Sequence, residues 1–266
     1  MRLIYEKRNH TAWLTLNRPE AKNALDPELV LELIAAWEDY RADDDMRCAV
    51  VTGAGDVFCA GADLARLIPL LTGVRKPETE ADKAVARDPL AAGKALMRDM
   101  EVFKPIVAAV NGHAIAGGME LLYSTDIRIA VQGAKFGLQE VRWAIFPMMG
   151  STVRLPRQLP YARAMEMLLT GELADAEELY RLGFLNKVVP ADKLMEEAER
   201  YASVISKNGP MAVQAVKKSV LKCAGLPTME GLKREIEIAT PVFLSEDAKE
   251  GPRAFKERRE PDYKGK

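Results

Sequence analysis

The stretch Ile106-Val107-Ala108-Ala109-Val110, followed by Ala116-Gly117-Gly118-Met119-Glu120-Leu121-Leu122-Tyr123, decides how this chain is read. The first run is apolar throughout, the pattern of a short strand buried on both faces. The second opens on adjacent glycines and continues as an apolar helix. The glycines therefore stand at a strand-to-helix passage where backbone approaches something closely. Glu120 falls in the first turn of that helix. Further on, Ile127-Arg128-Ile129-Ala130 reads as a strand, Phe136-Gly137 as a second glycine turn, and Glu140 follows. Two carboxylates near two backbone turns able to aim N–H groups at an oxyanion make a candidate acid/base site.

Upstream, residues 3–7 and 12–16 read as a hairpin around Arg8-Asn9-His10, and Asn17-Arg18-Pro19-Glu20 as a turn. Asp26-Pro27-Glu28 combines an N-cap, a proline at the first helical position and an acidic first turn. It predicts a helix to about Tyr40 that buries Leu29, Leu33, Ile34 and Trp37. Ala49-Val50-Val51-Thr52 is a strand, Gly53-Ala54-Gly55-Asp56 a turn, and Phe58-Cys59-Ala60 leads to a tight passage at Gly61-Ala62-Asp63. Residues 81–100 are alanine-rich and charged, which predicts helix. Downstream, Met148-Met149-Gly150-Ser151 leads into a helix, and residues 161–169 form another that stops at Thr170-Gly171. Asp175 is expected to cap a helix to Arg181 ended by Gly183, and residues 185–189 a short strand. From Ala191 onward the pattern is helical. Strand pairs followed by a helix thus recur before a helical last third, an α/β organisation. A soft boundary between Pro190 and Lys207 gives a core carrying the site (1–195) and a helical C-terminal region (196–266).

A chain of 266 residues can bury a large core, and 48% hydrophobic with 29% charged residues is an ordinary globular composition. A net charge of -1 asks for neither nucleic acid nor a membrane surface as partner. Cys48, Cys59 and Cys223 lack metal-site or disulfide spacing, and only His10 and His113 are present. No metal site is expected. Neither a signal sequence nor a membrane span is legible, so the expected location is cytoplasmic.

Phe58-Cys59-Ala60-Gly61-Ala62-Asp63, Lys104-Pro105-Ile106-Val107-Ala108-Ala109-Val110-Asn111-Gly112, Ala116-Gly117-Gly118-Met119-Glu120-Leu121 and Phe136-Gly137-Leu138-Gln139-Glu140 occur in this order. Together they resemble the motifs of the crotonase, or enoyl-CoA hydratase/isomerase, superfamily. The resemblance extends from Asn17-Arg18-Pro19 through Leu168-Leu169-Thr170-Gly171 to Glu250-Gly251-Pro252-Arg253-Ala254-Phe255. It implies a crotonase-type spiral of β-β-α turns with a helical C-terminal trimerisation region, assembled as a homotrimer or homohexamer. It implies an acyl-CoA thioester substrate, with coenzyme A present only as part of that substrate and no separate cofactor. The thioester oxygen would be held by the N–H groups of Ala62 and Gly117, and a water by Glu120 and Glu140. Ala60, Asp63, Leu64 and Lys22 are the further candidates for contact with substrate.

Hydration of a 2,3-enoyl thioester puts negative charge on the thioester oxygen, and one aimed donor is worth about 3–4 kcal/mol in other enzymes. A base must activate water at C3 and an acid must protonate C2. Glu120 is the expected base and Glu140 the expected proton donor, with the exchanged or shared assignment left open by the sequence; one carboxyl must stay protonated near neutrality through burial and like-charge repulsion. Asp63 reads as a helix cap, His113 as structural and Cys59 as packing. Trp143, Phe146, Met148 and Met149 read as core or as lining of an acyl pocket. Arg253, Lys256, Arg258 and Arg259 form a basic face that a CoA phosphate would suit. The chain departs from the superfamily's glycine-rich Pro-Gly-Ala-Gly-Gly turn, carrying Pro147-Met148-Met149-Gly150-Ser151, and has Ala144 where glycine is usual. The alternatives are another acyl-CoA enzyme of the superfamily, such as a double-bond isomerase or a dehydratase on an unusual acyl group, or a non-catalytic CoA- or RNA-binding member.

Overall fold

The computed structural model describes residues 1–88 and 90–266. The strands are β1 (Leu3–Arg8), β2 (Thr11–Leu16), β3 (Cys48–Gly53), β4 (Val57–Cys59), β5 (Ile106–Val110), β6 (His113–Ile115), β7 (Ile127–Val131), β8 (Lys135–Gly137), β9 (Ala174–Asp175) and β10 (Lys187–Val189). They form a six-stranded sheet ordered β1-β2-β3-β5-β7-β10 and a four-stranded sheet ordered β4-β6-β8-β9. β1 and β2 pair within the large sheet, and from β3 to β8 successive strand pairs split between the sheets. β3, β5 and β7 lie parallel in the large sheet, and β4, β6 and β8 lie parallel in the small one. Each pair is followed by helix, so the chain advances as a spiral of strand-strand-helix turns, as expected.

The helices are α1 (Pro27–Ala42), α2 (Leu67–Leu71), α3 (Glu80–Arg87), α4 (Ala91–Ala95), α5 (Gly117–Leu122), α6 (Ser151–Gln158), α7 (Tyr161–Thr170), α8 (Ala176–Arg181), α9 (Leu194–Lys207), α10 (Pro210–Cys223), α11 (Thr228–Phe243) and α12 (Glu246–Glu257). Asp26 caps α1 by accepting from the Leu29 N–H at 2.9 Å. The buried face of α1 carries Leu29, Leu33, Trp37 and Tyr40. Trp37 donates to the Ala95 carbonyl at 3.0 Å and Tyr40 to the Pro105 carbonyl at 2.7 Å, so the polar atoms of these two aromatic side chains of α1 are satisfied within the core. α9 packs across β3, β5 and β7. α10, α11 and α12 follow it and leave large apolar side chains exposed. No helix among the described residues is long and apolar enough to cross a membrane.

Three expectations change. Phe136-Gly137 lies in strand β8 instead of a turn. A Cβ on Gly137 would sit 2.6 Å from Leu173 Cδ2, so this glycine answers a contact remote in sequence. Residues 81–100 hold two short helices, α3 and α4, instead of one; residue 89, within that span, lies outside the described residues. Asp175 precedes α8 but makes no capping bond, because its carboxylate pairs with Lys135 across β8 and β9.

Candidate active site

Two chain crossings form the floor of the site. The first leaves β4 through Ala60, Gly61, Ala62 and Asp63. Leu25 grips it on both sides: its N–H donates to the Gly61 carbonyl at 2.8 Å, and its carbonyl accepts from the Asp63 N–H at 2.9 Å. The second leaves β6 through Ala116 into α5, and the Ala116 N–H donates to the Gly137 carbonyl at 2.8 Å. Ala116 has φ 51 and ψ -121, a conformation that L-residues rarely adopt and that costs about 1–3 kcal/mol. The crossings press together. Gly61 has φ +90, and a Cβ there would lie 2.7 Å from Ala116 Cβ and 3.0 Å from the Gly117 nitrogen. A Cβ on Gly118 would lie 2.2 Å from the Cys59 carbonyl oxygen. Among the described residues, the N–H groups of Ala62 and Gly117 find no acceptor in the protein.

Above this floor is a cavity of about 280 Å³. Ala60, Ala62, Leu64, Gly117, Glu120 and Glu140 all line it. Glu120 is buried, and its Oε1 accepts from the Ser151 hydroxyl at 2.7 Å and the Met149 N–H at 2.9 Å. Burial pushes its carboxyl above the ordinary range, while those two donors pull it back. Glu140 begins a single 3-10 turn, Glu140–Trp143. Its Oε2 is buried with no hydrogen-bond partner among the described residues. Burial first, and then the neighbouring Glu120 charge, push its carboxyl up to about 7. Two facing carboxylates are thus unequal. One is fitted with side-chain and backbone donors that favour its anion, and the other, met only by its own backbone N–H, favours a proton.

The sequence matches the family described as Enoyl-CoA hydratase/isomerase over residues 6–266. The chain belongs to this family. It is 43% identical over 263 residues to enoyl-CoA hydratase EchA19 of Mycobacterium tuberculosis, covering 99% of this chain and 96% of that one. It is 41% identical over 266 residues to (E)-benzylidenesuccinyl-CoA hydratase of Thauera aromatica, covering 100% of each. Among solved structures, the enoyl-CoA hydratase of Bacillus anthracis superposes with a TM-score of 0.89 at 33% identity and complete coverage of both chains.

Within this enoyl-CoA hydratase/isomerase family member, the other candidates fall in several places. Asp63 and Lys22 are absent from the cavity lining among the described residues. Asp63 Oδ1 accepts from the Ala65 and Arg66 N–H groups ahead of α2, and Oδ2 accepts from Arg18 at 3.1 Å. Lys22 is exposed at a left-handed corner whose carbonyl accepts from the Ala60 N–H at 3.0 Å. The exposed ring of His113 accepts from the Lys135 N–H at 3.0 Å, a structural role. Cys59 is buried and its thiol is pushed up to about 12 by desolvation, which suits packing. Arg253 and Arg259 both pair with Glu250.

Trp143, Phe146, Met148 and Met149 line the cavity, and of the four only Met149 also packs against the core among the described residues. The first three are 63%, 64% and 54% exposed, so the mouth is a rim of uncovered apolar side chains. Met149 turns inward against Gly93 of α4 while its N–H serves Glu120. Ser151 was not among the candidate residues. It stands in the departed turn at the end of a quoted motif, and the substitution of hydroxyl for glycine was its available signal.

Proposed function

We propose that the chain is an enoyl-CoA hydratase, adding water across the 2,3 double bond of an enoyl-CoA thioester. The observation that carries this is the unequal pair, Glu120 and Glu140, facing an apolar cavity whose floor presents two free backbone donors. In the reaction, a water between the carboxyl groups loses a proton to Glu120 as its oxygen bonds to C3. The electron pair of the double bond moves toward the thioester, and the enolate oxygen accepts from the Ala62 and Gly117 N–H groups. Glu140 then gives its proton to C2. The product holds one proton and one hydroxyl from the two donors. Proton exchange through the next water returns Glu140 to acid and Glu120 to base. Ala60 and Leu64 border the thioester and acyl group, Asp63 holds the first crossing through Arg18, and Lys22 meets the nucleotide end of coenzyme A outside the cavity.

Glu120→Gln and Glu140→Gln are each expected to lower kcat on a crotonyl-type enoyl-CoA by about 10²- to 10⁴-fold. Binding of the CoA thioester should persist, measured by calorimetry. Full turnover in either variant would overturn the two-carboxylate mechanism.

The assembly follows from the same resemblance. Val216, Val220, Ile236, Phe243 and Leu244 are exposed on and just beyond α10 and α11, a run of large apolar side chains of the kind an interface covers. This supports a homotrimer or a homohexamer of paired trimers, and a monomer in sedimentation velocity would reject it. The free thiols Cys48, Cys59 and Cys223 support a cytoplasmic setting, which cell fractionation checks.

A further inference from the structure

Both carboxylates sit in the same cavity, yet among the described residues only Glu120 has a side-chain donor. Of the two donors bonded to Glu120 Oε1, the Met149 N–H is backbone and comes with any residue except proline at that position. The Ser151 hydroxyl is a side-chain choice. It belongs to the first residue of α6, it is fully buried, and its 2.7 Å bond is the shorter of the two. The buried hydroxyl of Tyr123, one helical turn on from Glu120, also has no hydrogen-bond partner among the described residues. Tyr123 lies beside the Ser151 hydroxyl as well, but the bond to Glu120 is the one that meets full hydrogen-bond geometry among the described residues.

We propose that Ser151 is a positioning residue: by donating to Glu120 Oε1 it decides which glutamate is the anion and which carries the proton. This rests on the hydratase reading of the site. The remaining charged and titratable groups around Glu120 are few. Glu140 faces it from the 3-10 turn, Arg98 reaches it from beyond α4 with a favourable field, and Tyr123 stands beside it on α5's end. A carboxylate that loses a charge-assisted bond is protonated more readily. Without the Ser151 hydroxyl, Glu120 keeps the Met149 N–H, the backbone N–H of residue 151 and the Arg98 field, but its advantage over Glu140 shrinks.

The test compares Ser151→Ala and Ser151→Thr in the full chain. The acid limb of the kcat/KM profile on crotonyl-CoA should move up by about one pH unit in Ser151→Ala and return in Ser151→Thr. A second measurement needs no turnover: carboxyl carbon NMR of Glu120 in the Glu140→Gln background, with and without Ser151→Ala. The same upward shift of about one unit is expected there. Should the alanine variant fold poorly, Ser151→Cys keeps the volume with a weak donor and should shift the same way. An unmoved acid limb and NMR midpoint would overturn the proposal, even with activity reduced. An absence of hydration by the wild-type chain would instead strike the hydratase reading, while the NMR midpoint still judges Ser151.

Discussion

In the floor of the cavity backbone lies on backbone, whereas in the rim side chains stand in solvent. The floor joins the ends of β4 and β6, and a Cβ on Gly61 or Gly118 would come within 2.7 Å and 2.2 Å of its neighbours. It carries Glu120 on α5, with donors on its oxygen. The rim runs from Glu140 to Met149 as one 3-10 turn and irregular chain, and Trp143, Phe146 and Met148 are exposed. It carries Glu140, whose Oε2 has no hydrogen-bond partner among the described residues. The difference separates two jobs. Groups that must not shift by a fraction of an ångström are set where the backbone has no room. Groups that line the mouth of the cavity are side chains whose exchange leaves the sheets intact.

Gly118→Ala strikes this comparison hardest. Its Cβ would overlap the Cys59 carbonyl, so β4 and α5 would have to separate. A loss of at least about 3 kcal/mol of stability is expected, with hydration abolished. Met148→Ala in the rim should stay within about 1 kcal/mol, since Met148 is more than half exposed. Urea denaturation of both variants checks the pair; comparable losses would remove the distinction between floor and rim.

Glu140→Gln tests the electrostatic side of the same contrast. The folded-state carboxyl titrates at about 7, above its ordinary value of 4.5. Folding therefore favours the neutral acid. The stability this group contributes is full below about 4.5, declines as pH rises through about 7, and is gone above it. Glutamine stays neutral, so the variant should gain about 2 kcal/mol over wild type at pH 8.5, once partial exposure is discounted, and nothing at pH 4. Thermal melts at the two pH values read this directly. An equal difference at both would show that the carboxyl is not desolvated. The same titration places the basic limb of hydration near pH 7, because Glu140 must hold a proton to give one.

Much of the floor was legible in sequence because its causes are local. The apolar run of β5, the adjacent glycines and a glutamate in the first helical turn stand together, as do Asp26 and Pro27 at the start of α1. The small sheet was harder. β4, β6 and β8 have three residues each, too few for a period to appear. In sequence Gly137 reads as a turn glycine, because the reason for it is Leu173, which only the fold brings near. Ser151 was invisible as a donor for the same reason: nothing local says that its hydroxyl meets Glu120. The inequality of the two glutamates, by contrast, was expected from chemistry, and the donors that produce it needed coordinates.

Ala144 offers the smallest and cleanest comparison. It ends the 3-10 turn with φ 53 and ψ 33, a left-handed conformation that costs a residue bearing Cβ about 1–2 kcal/mol. In the floor, the left-handed position at Gly61 is filled by glycine because a side chain has no space there. In the rim Ala144 is exposed, so sterics with neighbours do not forbid alanine and only the backbone strain remains. Ala144→Gly removes that strain and gives back part of it through the greater freedom of the unfolded chain. The net expected gain is about 0.5–1 kcal/mol in urea denaturation, with kcat on crotonyl-CoA within about twofold because Ala144 does not line the cavity. A large fall in kcat would mean that the strained turn sets where Glu140 points, and the rim would then share the floor's job of fixing geometry.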